Sequence, residues 1–187
     1  MIRWLLLFLG GALLGGVVHL ATIILLPLTA TQDAYARLEK IVPVNSVTAL
    51  PAPTPENAVM PFMDPAFATS ICRYDLSQAP IKLSVPVSLA YTSVSFYTRR
   101  DVAYYAINDR AAGRRVIELD LMTPEQHSQI PEDEEITAAD RLIVDSPTVT
   151  GVIAIRALAP EPGLMPMAQA SIARATCTPQ PASPGAR

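Results

Sequence analysis

Two cysteines, two histidines, one acidic run and two arginine groups hold most of the chemistry this chain could offer. Cys72 and Cys177 lie far apart, and neither has a histidine or second cysteine at metal-ligand spacing, which argues against zinc. On the outer side of a bacterial membrane such an even pair is most simply a disulfide, here tying the first strand of the main domain to a C-terminal helix. In a cytosolic domain the same pair would read as two separate buried thiols. A Ser–His–Asp hydrolase would have to use His127, because His19 falls inside a long apolar segment; no GxSxG elbow accompanies it. The expectation is a non-enzymatic protein with no cofactor and no metal. Glu132–Glu135, extended by Asp140, lacks the alternating spacing of a calcium loop and reads as solvated. Arg99-Arg100 and the group Arg110, Arg114-Arg115 flank a strand over 102–108, about 23 Å apart at ~3.3 Å per residue. They read as solvated turns, not as one basic patch. With 17% charged residues and a net charge of −3, nucleic acid is not an expected partner.

The first element to place these groups is apolar. Trp4–Leu28 carries no Asp, Glu, Lys or Arg, and its roughly 25 residues would reach ~37 Å as a helix, more than the ~30 Å core of a bilayer. Trp4 sits at an interfacial position with Arg3 outside it, and Pro27 and Thr29 mark the exit. An uncleaved transmembrane anchor over 1–30 is expected; a cleaved secretory signal is the alternative, although its apolar core would be unusually long. Charge near the two ends is balanced, Arg3 and the terminal amine against Arg37 and Lys40. The very short tail favours an inner-membrane, single-pass arrangement with the C-terminal domain on the periplasmic or outer side. Gly11, Gly15, His19 and Thr22 line one stripe of this helix. The GxxxG spacing suits close approach of another membrane helix, its own copy's or another envelope protein's, and His19 is a polar group within the span.

Beyond the anchor, residues 31–66 read as a short amphipathic helix over Gln32–Ile41 and then a proline-rich segment. Pro43, Pro51, Pro53, Pro55, Pro61 and Pro65 break regular structure there. Its apolar content, with Val44, Val47, Leu50, Val59, Met60, Phe62 and Met63, is too high for a free linker, so it should wrap along the domain. Period-two patterning then predicts strands at Phe67–Leu76, Ile81–Leu89, Tyr91–Thr98, Val102–Asn108, Arg114–Leu121, Arg141–Asp145 and Val149–Leu158. The three over Tyr91–Leu121 read as an antiparallel meander. Thr123-Pro124-Glu125-Gln126 opens a helix, and a last helix spans about Met165–Thr176. The fold class is α+β: a transmembrane helix, one antiparallel-sheet domain over 67–178 with a few short helices, and a disordered tail at 179–187.

The stretch Ser93–Arg110, with its Val-Ala-Tyr-Tyr-Ala-Ile-Asn-Asp-Arg run, resembles a motif of an uncharacterised bacterial family, the domain of unknown function twelve fifty-four. Its short, singly anchored members are similar to this chain over most of its length. They share the anchor, an Asp33–Leu38-like helix, the proline-rich wrap and the sheet, and Ile136–Arg141 and Val144–Pro147 are similar as well. The resemblance implies a membrane protein and carries over no catalytic residue; Asn108-Asp109-Arg110 reads as a structural turn with Asp109 and Arg110 paired. Two functional classes stand: an anchored envelope protein serving as accessory or scaffold, or a small-molecule-binding or sensing module with a pocket in the sheet lined by Phe96, Tyr104 and Tyr105.

Overall fold

The computed structural model describes residues 1–29, 33–56, 58–113, 115–130 and 142–180. The chain divides into two units, Met1–Asp33 and Ala34–Arg187. The first is one helix, α1 (Ile2–Thr29). Its segment Ile2–Leu26 is long and apolar enough to cross a membrane, and its side chains up to Leu26 are exposed. A helix pairs every backbone group within itself, which is why an apolar run of this length adopts it where no water is available.

The second unit opens with α2 (Ala34–Glu39), followed by β1 (Val47–Ala49). Then come β2 (Phe67–Asp75), β3 (Ile81–Pro86), β4 (Thr92–Thr98) and β5 (Ala103–Asn108). A single turn α3 (Asp109–Ala112) leads to β6 (Val116–Met122), and a second, α4 (Pro124–His127), precedes β7 (Leu142–Asp145). The chain closes with β8 (Thr150–Leu158), α5 (Met165–Ile172) and β9 (Thr176–Pro179). The α4 turn starts as its sequence dictates. Thr123 and Gln126 cap each other's backbone N–H groups, and Pro124 fills a first-turn position where no N–H is needed.

The strands form two sheets, in the orders β1-β2-β8-β4-β5 and β7-β6-β3-β9. Each pairing is antiparallel except β6 with β7, which is parallel with Leu119 opposite Leu142. Inward residues of both sheets meet in one core that includes Tyr74, Leu83, Phe96, Leu119, Ile153 and Ile155. A second core lies on the other face of the five-stranded sheet, where Tyr35, Leu38, Val42 and Leu50 cover Ile71, Val152 and Ala154. That is why β2 and β8 are buried on both faces, and why β8 reads as a nearly continuous apolar run while β2 buries Ser70 and Arg73 among its apolar residues.

Three expectations need correction. The stretch 91–121 is not a meander: β4 and β5 form a hairpin, but β6 leaves for the other sheet and pairs with β3. The α3 turn redirects it, with Asn108 capping Ala111 N–H and Gly113 at φ 62 ending it in the left-handed region where glycine carries no Cβ penalty. The last helix stops at Ile172, and Thr176–Pro179 is a strand that completes the edge of β3, so the chain there is ordered. The proline-rich segment also contributes a strand, β1, with Val47 opposite Cys72. Residues 181–187 of the expected tail lie outside the described residues.

Candidate functional site

Cys72 on β2 and Cys177 on β9 form a disulfide that joins the two sheets. Its second cysteine sits on a strand, not on the expected helix. Gly11, Gly15 and Thr22 lie on the exposed surface of α1, as does His19; a Cβ at either glycine would meet nothing. The Thr22 hydroxyl donates to Val18 O of its own helix at 2.8 Å.

Phe96, Tyr104 and Tyr105 fill the main core and do not line the cavities described below. Phe96 is fully buried, and the two tyrosine rings tilt against it with centroids 6.1 and 5.7 Å away. The Tyr104 hydroxyl donates to Tyr74 Oη at 3.1 Å; Tyr74 Oη is also 2.9 Å from Ser146 Oγ, which donates to Thr148 O. Burial raises the Tyr104 pKa above the ordinary tyrosine value, with neighbouring Tyr74 adding to the rise. This hydroxyl cluster bridges β2, β5 and the turn after β7, giving its polar atoms partners inside the core.

His127 Nδ1 lies 2.8 Å from Asp145 Oδ1, an exposed pair that links α4 to β7. Glu132–Glu135 and Asp140 lie outside the described residues, among which no group of three His, Cys, Asp or Glu could hold a metal. The Asn108–Arg110 turn is an N-cap, and Asp109 Oδ1 accepts from Thr92 N–H at 3.5 Å.

Arg99 is not a solvated turn charge. Its guanidinium lies 3.9 Å from the Tyr35 ring centre, and that of Arg73 lies 5.0 Å from the same ring. Arg73 is almost fully buried, 3.7 Å from Glu39, with Nε and Nη1 making no hydrogen bond.

Two spaces for a ligand lie on the outer face of the five-stranded sheet, and a third, of about 410 Å³, lies beside α5 and is lined by Val87, Leu89, Leu164 and Met167 among others. A cavity of about 440 Å³ has Ile71, Val152 and Ala154 on its floor and Leu38, Met60 and Met63 among its walls. Asp64, Asp101 and Arg156 are its charged lining residues. A second cavity of about 410 Å³ is lined by Tyr91, Ser93, Ser95, Asn108 and Arg156 among others. Phe67 and Arg156 line both. Sequence reasoning missed this site, although the excess of apolar residues over Val59–Met63 was its signal. Val59, Met60 and Met63 are partly buried against the outer core of the five-stranded sheet, while Phe62 stays exposed.

No curated protein matches the chain. Among solved structures, the VPA0106 protein from Vibrio parahaemolyticus superposes with a TM-score of 0.58 at 14% identity, over 82% of this chain and 38% of that one. The chain therefore spans less than two fifths of that protein's length, and the likeness is one of fold. An uncharacterized protein from Burkholderia cenocepacia gives a TM-score of 0.43 at 11% identity, over 62% of this chain and 32% of that one. The model of a family described as protein of unknown function (DUF1254) matches residues 44–179, from the proline-rich wrap through β9, and the chain belongs to that family.

Proposed function

We propose that the chain is a non-enzymatic, single-pass inner-membrane protein whose domain, on the outer side, binds a small molecule on the outer face of its five-stranded sheet. The observation that carries this reading is the cavity of about 440 Å³, open to solvent on one side, between that sheet, α2 and the strap around Met60–Asp64. Its size falls within the ~300–1,000 Å³ typical of small-molecule sites, and its lining is mainly apolar with a few polar groups at the rim. The disulfide supports an exported domain, since such bonds persist in oxidising compartments. The length and composition of α1 support the anchor.

The test uses the full-length chain in lipid nanodiscs and a panel of apolar and amphiphilic small molecules. A true ligand at 100 times its Kd stabilises the domain by about 2.7 kcal/mol. Ala154→Phe fills the cavity floor and should remove that stabilisation while the unliganded protein still unfolds cooperatively. Equal stabilisation of both proteins, or none of either, overturns the reading.

A further inference from the structure

We propose that the two outer-face cavities together take a single-chain amphiphile with an anionic headgroup, its tail in the apolar compartment and its head beside Arg156; this rests on the binding-module reading above. Strand register fixes the layout. Along β8, Val152, Ala154 and Arg156 face the outer side at successive alternate positions, opposite Tyr97, Ser95 and Ser93 of β4 and Arg73, Ile71 and Thr69 of β2. Val152 and Ala154 are buried beneath the strap, and Arg156 is exposed. The floor thus passes from apolar to cationic over four residues, roughly 13 Å at ~3.3 Å per residue.

The second compartment is lined by hydroxyl and amide groups, Ser93, Ser95 and Asn108, and among the described residues Arg156 is the only charged one in its lining. No described carboxylate is within ion-pair distance of Arg156. The carboxylates of the apolar cavity are placed otherwise. Asp64 accepts the Ala66 N–H at 2.9 Å, and Asp101 lies in the β4–β5 turn beyond Tyr97, at the end of the floor away from Arg156. An apolar compartment that shares Phe67 and Arg156 with a polar one, where Arg156 has no carboxylate partner among the described residues, matches a fatty carboxylate or a lysophospholipid phosphate. Both chemistries share a tail and an anion, and a guanidinium pairs with either through charge-assisted hydrogen bonds.

The experiment compares dodecanoate, dodecanol, dodecylammonium and lysophosphatidylglycerol as stabilisers of the full-length chain in phosphatidylcholine nanodiscs. The expected result is stabilisation by at least one of the two anions at roughly ten-fold lower concentration than dodecanol, the equivalent of one good ionic hydrogen bond. Whichever anion is the tighter identifies the source, free fatty acid or membrane lipid. Arg156→Gln should erase the ten-fold advantage and leave dodecanol binding intact, while Arg156→Lys should retain part of it. Equal potency of the anions and dodecanol, or tighter binding of dodecylammonium, overturns the headgroup assignment and leaves the binding module standing. If none of the four stabilises the protein, and the wider panel does not either, both fall. The comparison among the four compounds on the unmodified chain decides the matter even if an Arg156 variant does not fold.

Discussion

Gly151 lies directly beneath the Tyr74 side chain: a Cβ built on it would stand 2.3 Å from Tyr74 Oη and 2.3 Å from the Tyr97 carbonyl oxygen. Gly151 is opposite both Tyr74 on β2 and Thr98 on β4, so the glycine is the point where a central strand passes under the hydroxyl cluster. Glycine within a strand ordinarily weakens it, and here its value is close approach.

Gly151→Ala should therefore destabilise the domain by about 2–3 kcal/mol, because three atoms obstruct the new methyl, Tyr74 Oη and Cζ and the Tyr97 carbonyl oxygen, and the last is backbone and cannot swing aside. Tyr74→Phe removes the hydroxyl oxygen, leaves Cζ, and takes away the Tyr74 acceptor of the Tyr104 hydroxyl, so the double variant should be somewhat less destabilised than the sum of the singles. Thermal unfolding of the three variants measures this; strict additivity would show that Gly151 and Tyr74 do not interact.

The same cluster sets an alkaline limit. With its pKa raised by burial, Tyr104 stays protonated in the folded protein after the unfolded chain has begun to ionise near pH ~10. Its contribution is complete below that pH and is lost as pH rises toward the folded value. Unfolding midpoints measured across pH 8–11.5 should fall more steeply above about pH 10 in the natural protein than in Tyr104→Phe. Parallel curves would show that Tyr104 titrates equally in both states.

Tyr35 connects the second core to two arginines. The ring is buried, packs with Leu38 and Val42 in the outer core, and has the Arg73 and Arg99 guanidiniums against it. Tyr35→Ala should cost about 3 kcal/mol or more from lost packing and cation–π contact. It also leaves Arg73, whose Nε and Nη1 make no hydrogen bond and whose ion pair with the exposed Glu39 is long at 3.7 Å, a buried cation beside a cavity. Adding Arg73→Met to that variant should recover stability, since replacing a poorly compensated buried charge with an apolar side chain is often favourable. Chemical denaturation of the single and double variants measures the recovery. A further loss in the double variant would mean that Arg73 is well satisfied in the folded state.

How far the sequence discloses this architecture varies by element. The strands from Phe67 to Leu158 follow from alternation and β-branched residues, and the α4 start follows from Thr123-Pro124 and Gln126. Their partition into two sheets does not. Nothing local to Val116–Met122 distinguishes pairing with β5 from pairing with β3, because the choice depends on where Ile117, Leu119 and Leu121 find a long-range core. The parallel β6–β7 pair is hidden for the same reason. The aromatic run at Tyr104-Tyr105 suggests a pocket from sequence because large rings line many sites; in the fold those rings serve packing. The cavity instead depends on a strap whose prolines prevent regular structure while Met60 and Met63 hold it to the sheet.

The Cys72–Cys177 bond gives the last prediction. It closes a loop with a sequence separation of 105 and crosses between the two sheets, so removing it frees the unfolded chain and loosens the core contact at once. Cys72→Ala with Cys177→Ala should lower stability by roughly 2–5 kcal/mol. Both cysteines are buried, so in protein isolated from its native source the thiols should alkylate only after denaturation with reductant, not after denaturation alone. Intact mass of that material, alkylated both ways, reads the redox state and the fate of α1 in one measurement. A full-length mass with reduction-dependent labelling is the outcome an anchored, exported domain requires. Labelling without reductant would put the domain in a reducing compartment, and a mass short by the apolar segment would make α1 a removed signal.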